Sequence, residues 1–248
     1  MKLNEYRRMA DLEKTYWWHI GRENIIKKQF QRLNPDPVRT KILNVGSGTG
    51  AMVDLLDSFG NLSNVEVSEE AIKIARERGV KNIKQIRAGR RLPFPSKTFD
   101  VVCAFDVLEH IEGEGQALKE WLRVLKPGGR VFITVPAHQW LWSAHDESLH
   151  HFRRYSVSGL HRLFNLCGFR VLKRSYAITF SFPLIVGFRF ISSITGKKQK
   201  ASYVTLPGPI NWFFIQLLRI EGSILKRGNL PLGTSIVLVA QRPRSGRI

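Results

Sequence analysis

The chain has 248 residues and carries 39 Lys/Arg against 20 Asp/Glu, a formal charge of +19. That length holds one α/β domain with an ordinary buried core plus an appendage, and excludes two full domains. The only cysteines, Cys103 and Cys167, lack metal-ligand spacing and cannot build a disulfide framework, so both read as small core hydrophobes.

Residues 4–33 mix charged and apolar groups at helical spacing and stop at Asn34-Pro35-Asp36-Pro37, which cannot continue a helix. From Lys41 the texture alternates. Ile42 to Val45 is a short apolar run ending in glycines, a buried strand; Met52 to Phe59 reads as a helix, and Asn64 to Val67 as the next strand. Ser68 is a good N-cap for a helix over Glu69 to Arg78. Lys84 to Arg87 is a weak strand and Phe99 to Phe105 a strong one, followed by a helix over Gly115 to Leu125. Lys126-Pro127-Gly128-Gly129 makes a turn before the apolar strand Arg130 to Val135. Ser156 to Leu166 is helical, Gly168 to Tyr176 a strand, and Ser235 to Arg242 a final strand. Alternation of this kind predicts βαβ units and a largely parallel sheet.

Val45-Gly46-Ser47-Gly48-Thr49-Gly50 follows a strand and opens a helix, where glycines let the backbone turn sharply and approach a ligand with its amides free. Gly46-x-Gly48-x-x-Ala51 also fits the dinucleotide fingerprint of dehydrogenases. Glu66, at the end of the next strand, can accept hydrogen bonds from both hydroxyls of a ribose. Both features are common to two cofactor classes.

Residues 92–129 separate the two classes. The run Leu92-Pro93-Phe94-Pro95-Ser96-Lys97-Thr98-Phe99-Asp100, then Asp106-Val107-Leu108-Glu109-His110-Ile111, then Leu125-Lys126-Pro127-Gly128-Gly129 closely resembles the class I, Rossmann-like S-adenosylmethionine-dependent methyltransferases, type 11 in particular. The resemblance covers residues 42 to about 136. It implies a seven-stranded, mostly parallel sheet with an antiparallel last strand, N-terminal helices and a C-terminal helical insertion. It implies S-adenosylmethionine as cofactor, with Gly46, Ser47, Gly48 and Gly50 around its methionine part and Glu66 on the ribose. Val67 and Ala88 would lie by the adenine, with Phe105 and Asp106 flanking the cofactor after the fourth strand. One position departs: Arg87 stands where many relatives carry an acid, and a guanidinium cannot accept from the adenine amine. The expected organisation is a helical cover at 1–40, a methyltransferase core at 41–176 with 235–242, and a cap at 177–234.

The chemistry expected is methyl transfer to a small or lipid-like acceptor, at oxygen, with RNA methylation or a non-catalytic membrane-associated subunit as alternatives. Removing a proton from a hydroxyl acceptor calls for a nearby His or carboxylate. On a helix starting at Asp106, that residue, Glu109 and His110 would share a face, a spacing similar to the metal-ligand set of quinone O-methyltransferases; packing and hydrogen bonding are the plainer reading, and no metal is assigned. The segment from Val135 through Tyr155 leaves the carboxyl edge of the fifth strand and concentrates histidines, arginines and tryptophans. His145 or His150 is the expected base, with His110 as a further candidate, Trp140 and Trp142 as apolar walls, and Arg153 and Arg154 as holders of an anionic group. Ligation of a metal by His145, Asp146 and His150 is a lesser alternative. Tyr16-Trp17-Trp18-His19 with Arg22 either covers the cofactor or buries against the sheet.

From His151 onward there are 16 Lys/Arg against one acid, Glu221; before it, 23 against 19. A basic half points to a phospholipid surface or nucleic acid, or simply to a solvated face. Ser175 to Phe188 is uncharged but shorter than the ~20 residues that span a bilayer. Asn211 to Arg227 sets Gln216, Arg219, Ser223, Lys226 and Arg227 as a polar stripe, with Trp212, Phe213, Phe214, Leu217, Leu218, Ile220, Ile224 and Leu225 filling the remainder. With Lys197, Lys198 and Lys200 nearby, it fits an interfacial segment on an anionic leaflet. Nucleic acid is the less expected partner, because no base-holding motif and no appended RNA module is visible. No secretory h-region precedes the charged N-terminus, so the expected location is cytoplasmic, peripheral on the inner face of the membrane.

Overall fold

The computed structural model describes residues 3–187 and 206–244. Two helices precede the sheet, α1 (Leu3–Glu13) and α2 (Trp17–Leu33). The helical spacing expected over 4–33 is thus divided between two helices that meet at Lys14 to Tyr16. Asn34 closes α2 in the left-handed region, ahead of the two prolines.

Seven strands follow: β1 (Lys41–Val45), β2 (Asn61–Glu66), β3 (Ile83–Gln85), β4 (Phe99–Phe105), β5 (Leu125–Pro136), β6 (Arg170–Ala177) and β7 (Ser235–Gln241). They form one sheet in the order β3-β2-β1-β4-β5-β7-β6. Pairs among β1 to β5 are parallel, whereas β7 runs antiparallel to both β5 and β6. The order reverses between β1 and β4, the place where open α/β sheets leave a crevice at their carboxyl edge. β2 starts earlier than the apolar pattern suggested, because polar Asn61 and Ser63 pair in register with β1. β5 likewise begins within the expected turn, and Gly128, at φ 81°, supplies its bend.

Between the strands lie α3 (Val53–Asp57), α4 (Glu69–Glu77), α5 (Glu114–Val124), α6 (Ala144–Ser148), α7 (Val157–Leu166) and α8 (Gly208–Arg227). Ser68 and Ser156 cap α4 and α7 through their side chains, accepting from Ala71 and Gly159. Leu118 and Trp121 of α5 and Leu160 and Phe164 of α7 pack with one set of sheet side chains. Ile25, Ile26 and Phe30 of α2 join Leu218 and Leu225 of α8 against another set, which includes Phe132, Val237 and Val239. The helix expected as part of a cap is thus a full layer of the core. Lys197, Lys198 and Lys200 lie outside the described residues.

Candidate active site

Short parallel strands end together at the carboxyl edge, and the loops leaving them surround a cleft of roughly 1570 Å³. Ligand pockets are typically about 300–1,000 Å³, so the cleft has room for a cofactor and a second molecule. Gly46, Ser47, Gly48, Glu66, Val67, Ala88, Phe105, Asp106, His110, Trp140, Trp142, His145, His150 and Arg154 all line it. Gly50 sits just behind, where a Cβ would meet Val80 at 2.9 Å.

The glycine loop differs from expectation in one respect. Its amides are not free: Gly46 and Ser47 donate to the Val65 carbonyl (2.9 and 3.1 Å), and Gly48 donates to Glu66 Oε2 (2.8 Å). Glu66 Oε1 accepts from Val67 (2.7 Å) and Ser68 (3.0 Å), so the acid fastens the loop to the end of β2. These bonds form because the loop leaving β1 turns over the end of its neighbour β2. What the loop offers a ligand is close approach. Gly48 holds φ +56°, and nothing stands within 4 Å of where a Cβ would be. Ser47 Oγ is buried with no hydrogen-bond partner among the described residues. One acceptor site on Glu66 Oε2 remains for a further donor. An open glycine, an orphaned hydroxyl and a spare carboxylate lone pair fit a cofactor that brings a ribose and a polar amino-acid tail.

The N-terminal helices close this end of the cleft through residues the sequence did not single out. Glu13 accepts from Thr49 Oγ1 (2.5 Å) and pairs with Arg78, tying α1 to the glycine loop. Arg22, singled out only for its place beside the Trp17-Trp18 pair, pairs with Asp106 and lies 4.6 Å over the Trp18 ring. Asp106 sits at φ 55° and ends β4, and Leu108–His110 is a single 3₁₀ turn. The shared helical face expected for Asp106, Glu109 and His110 therefore does not form. The strand must turn in the left-handed region before any helix can begin, and this sends Asp106 to Arg22 and Glu109 inward.

Residues 137–155 make a loop closed at its base, where His138 N donates to Tyr155 O (2.8 Å) and Tyr155 N donates to Pro136 O (2.9 Å). Phe152 N donates to Glu109 O (2.8 Å) and seats the loop on the 3₁₀ turn. Asp146, fully buried, accepts from Arg154 Nε (2.7 Å) and Nη2 (3.0 Å), from His151 Nδ1 (2.9 Å) and from Ser143 N (2.9 Å). Burial raises its carboxyl, but His151 and Arg154 outweigh this and hold it well below the usual carboxylate range. Arg154 is thereby occupied. Arg153 pairs with Glu114 (2.9 Å) and Glu112 O (3.0 Å), away from the cleft. Neither guanidinium faces the cleft as an open anion holder, because each is the nearest donor to an acceptor in its own surroundings. Trp140 is 62% exposed and Trp142 half-buried at the rim.

His110 opens onto the cleft, and its ring lies 4.6 Å edge-on from that of His151. Burial, then His151, pushes His110 down to about 4. Glu109 is 0% exposed, neither of its carboxylate oxygens has a hydrogen-bond partner among the described residues, and burial with nearby Asp106 pushes it well up. His151 was the missed residue. Its signal was the Ser143-x-x-Asp146 start of a helix, which turns the chain so that Asp146 meets His151.

With that crevice, glycine loop and acid, the strand order β3-β2-β1-β4-β5-β7-β6 and an antiparallel β7 match the Rossmann-like methyltransferase fold. Residues 43–133 match the family model described as a methyltransferase domain. A probable S-adenosylmethionine-dependent methyltransferase of Mycolicibacterium smegmatis is 29% identical over 164 residues, 64% of this chain and 61% of the relative. A Haloferax volcanii putative methyltransferase, solved in complex with the Trm112 methyltransferase activator, superposes with a TM-score of 0.63 at 17% identity, covering 99% of this chain and 97% of that one. Phosphoethanolamine N-methyltransferase 2 of Haemonchus contortus, solved with S-adenosylmethionine, has a TM-score of 0.58 at 18% identity over 90% of this chain and 52% of that one. The chain spans only 55% and 61% of the length of the first curated relatives it matches.

Proposed function

We propose that the chain transfers a methyl group from S-adenosylmethionine to the oxygen of a small, lipid-like acceptor at an anionic membrane surface. The observation that carries this reading is the composition of the cleft. A glycine loop with Ser47 and Glu66 forms one end, and Trp140, Trp142, Leu184, Ile185 and Phe214 contribute apolar lining elsewhere in the cleft. Phe214 belongs to α8, whose outward side exposes Trp212 (62%) and Phe213 (52%) beside Ile220 and Ile224. Among the described residues no helix is long and apolar enough to cross a membrane, so contact would be interfacial.

When bound, the cofactor supplies a methyl group on a cationic sulfur, open to in-line attack. The chain's part is to position and to move a proton. Ser47 and Glu66 would hold the cofactor's polar groups, and Val67 and Ala88 the edges of its base. Trp140 and Trp142 would exclude water and orient the acceptor. His145 or His150, on the same loop, would take the acceptor's proton.

The test is calorimetric titration of the full chain with S-adenosylmethionine, with NAD and the Glu66→Ala variant as controls, followed by turnover on lipid acceptors in anionic vesicles. Binding of one cofactor per chain, lost in the variant, with vesicle-dependent turnover is the expected result. Cofactor binding without any turnover would leave a non-catalytic subunit. The +19 charge favours a second reading, a nucleic-acid acceptor; salt-sensitive RNA methylation with no response to vesicles would select it.

A further inference from the structure

We infer that Glu109, His110 and His151 form a binding site for one divalent transition-metal ion of the zinc and iron(II) class, on the wall of the acceptor cleft. Each residue offers a ligand atom, and the three atoms lie within 4.8 Å of one another. Two ligand atoms each ~2.1 Å from one ion stand at most ~4.2 Å apart. In a tetrahedral site they stand ~3.4 Å apart, so side-chain movement of up to about 1.4 Å closes the set.

Three further features point the same way. The Glu109 carboxylate is wholly buried, and neither of its oxygens has a donor among the described residues. Leaving such a group without a partner is costly, and a cation between it and two imidazoles removes that cost. His151 is oriented from behind. Asp146 accepts at 2.9 Å from His151 Nδ1, and a carboxylate can only accept, so Nδ1 carries the proton and Nε2 presents its lone pair. Asp146 is itself fixed by both Arg154 nitrogens and by Ser143 N. Carboxylate behind histidine behind metal is how metal-binding histidines are usually held. Finally, His110 opens onto the cleft, which leaves a coordination position facing the acceptor. Three protein ligands with one open position mark a catalytic site and not a structural one. An acceptor hydroxyl bound there would be polarised and lose its proton more readily.

Two imidazoles and one carboxylate suit zinc or iron(II) and not magnesium, which demands oxygen ligands. Asp106 is not part of the set, because Arg22 holds it.

The ion's role toward an acceptor rests on the methyl-transfer reading; its binding does not. The test therefore uses metal alone. The chelator-stripped full chain is titrated calorimetrically with Zn²⁺ and, separately, Mg²⁺, with no cofactor present. One Zn²⁺ per chain and no Mg²⁺ is expected. His151→Ala and Glu109→Gln should each weaken Zn²⁺ at least about tenfold, and Asp146→Asn, which acts through His151, about 10–100-fold. Co²⁺ loading gives a visible absorption band that His151→Ala should lose while its thermal melting stays cooperative. Absence of stoichiometric Zn²⁺ binding, or binding unchanged in both His151→Ala and Glu109→Gln, would overturn the site. A chain that binds Zn²⁺ but no S-adenosylmethionine keeps this inference and loses the preceding one, and the converse result separates them equally well.

Discussion

Glu66 is a structural residue before it is a binding one. Its carboxylate satisfies three amides of the turn that it serves. Glu66→Ala should therefore cost both cofactor affinity and stability, each hydrogen bond to a charge contributing about 1.5–3 kcal/mol. Gly48→Ala separates the two effects. Its φ of +56° makes alanine cost roughly 1–2 kcal/mol, while the added methyl projects into the open space of the cleft, where the proposed cofactor would lie. Thermal melting should fall by a few degrees while calorimetric affinity for S-adenosylmethionine falls more than tenfold; an affinity loss no larger than the stability loss would mean the cofactor lies elsewhere. His19 gives a pH signature. Burial, then Arg22, lowers it to about 3 from an ordinary 6.5. The unfolded chain thus binds a proton below pH 6.5 that the folded chain refuses, and stability drains away as pH drops from there. His19→Gln should flatten the stability profile between pH 6.5 and 4, measured by urea unfolding. At this scale the glycines and Glu66 were legible, because a turn after a strand needs specific residue types. Arg22, Glu13 and Arg78 were not. Nothing in a local pattern says that an exposed-looking arginine will find Asp106, 84 residues on.

Elements show the same division. Six of the strands had apolar runs that announced them, and Ser68 and Ser156 announced two helices. The pairing of α2 with α8 had no such signal. Gly21 lies against Leu218, where a Cβ would stand 2.7 Å from the Leu218 Cβ, and a Cβ at Gly222 would stand 3.3 Å from the Ile25 backbone. Trp17 N donates to Asn211 Oδ1 (2.9 Å), and the Trp17 and Phe214 rings meet at 5.1 Å. Small residues at each crossing are what let two helices approach this closely. Gly21→Ala should destabilise by about 1–3 kcal/mol through overpacking, lowering the melting temperature. Gly187→Ala, with nothing within 4 Å of its Cβ position among the described residues, should leave it nearly unchanged. The reason α8 read as a cap is that its sequence is apolar nearly all round. Only packing shows that Ile215, Leu218 and Leu225 face the core while Phe213, Ile220 and Ile224 face out.

For the whole molecule, the outward side of α8 and the basic excess make one testable surface. Co-sedimentation with anionic vesicles should weaken as salt is raised from about 0.05 to about 0.5 M, because screening shortens electrostatic reach to under ~10 Å. Trp212→Ser with Phe213→Ser should reduce what survives at high salt. Binding that is equal to neutral and anionic vesicles would remove the basic surface from the account. The α2–α8 pair also sets an order of events during synthesis. Trp17 and Asn211 are separated by 194 residues, so a ribosome adding ~5–20 residues per second finishes α2 roughly 10–40 seconds before its partner emerges. During that interval the side of α2 that meets Leu218 of α8 lacks its cover. The part of the chain that is born first is among the last to find its place, and its safe passage falls to whatever shields nascent apolar helices in the cell.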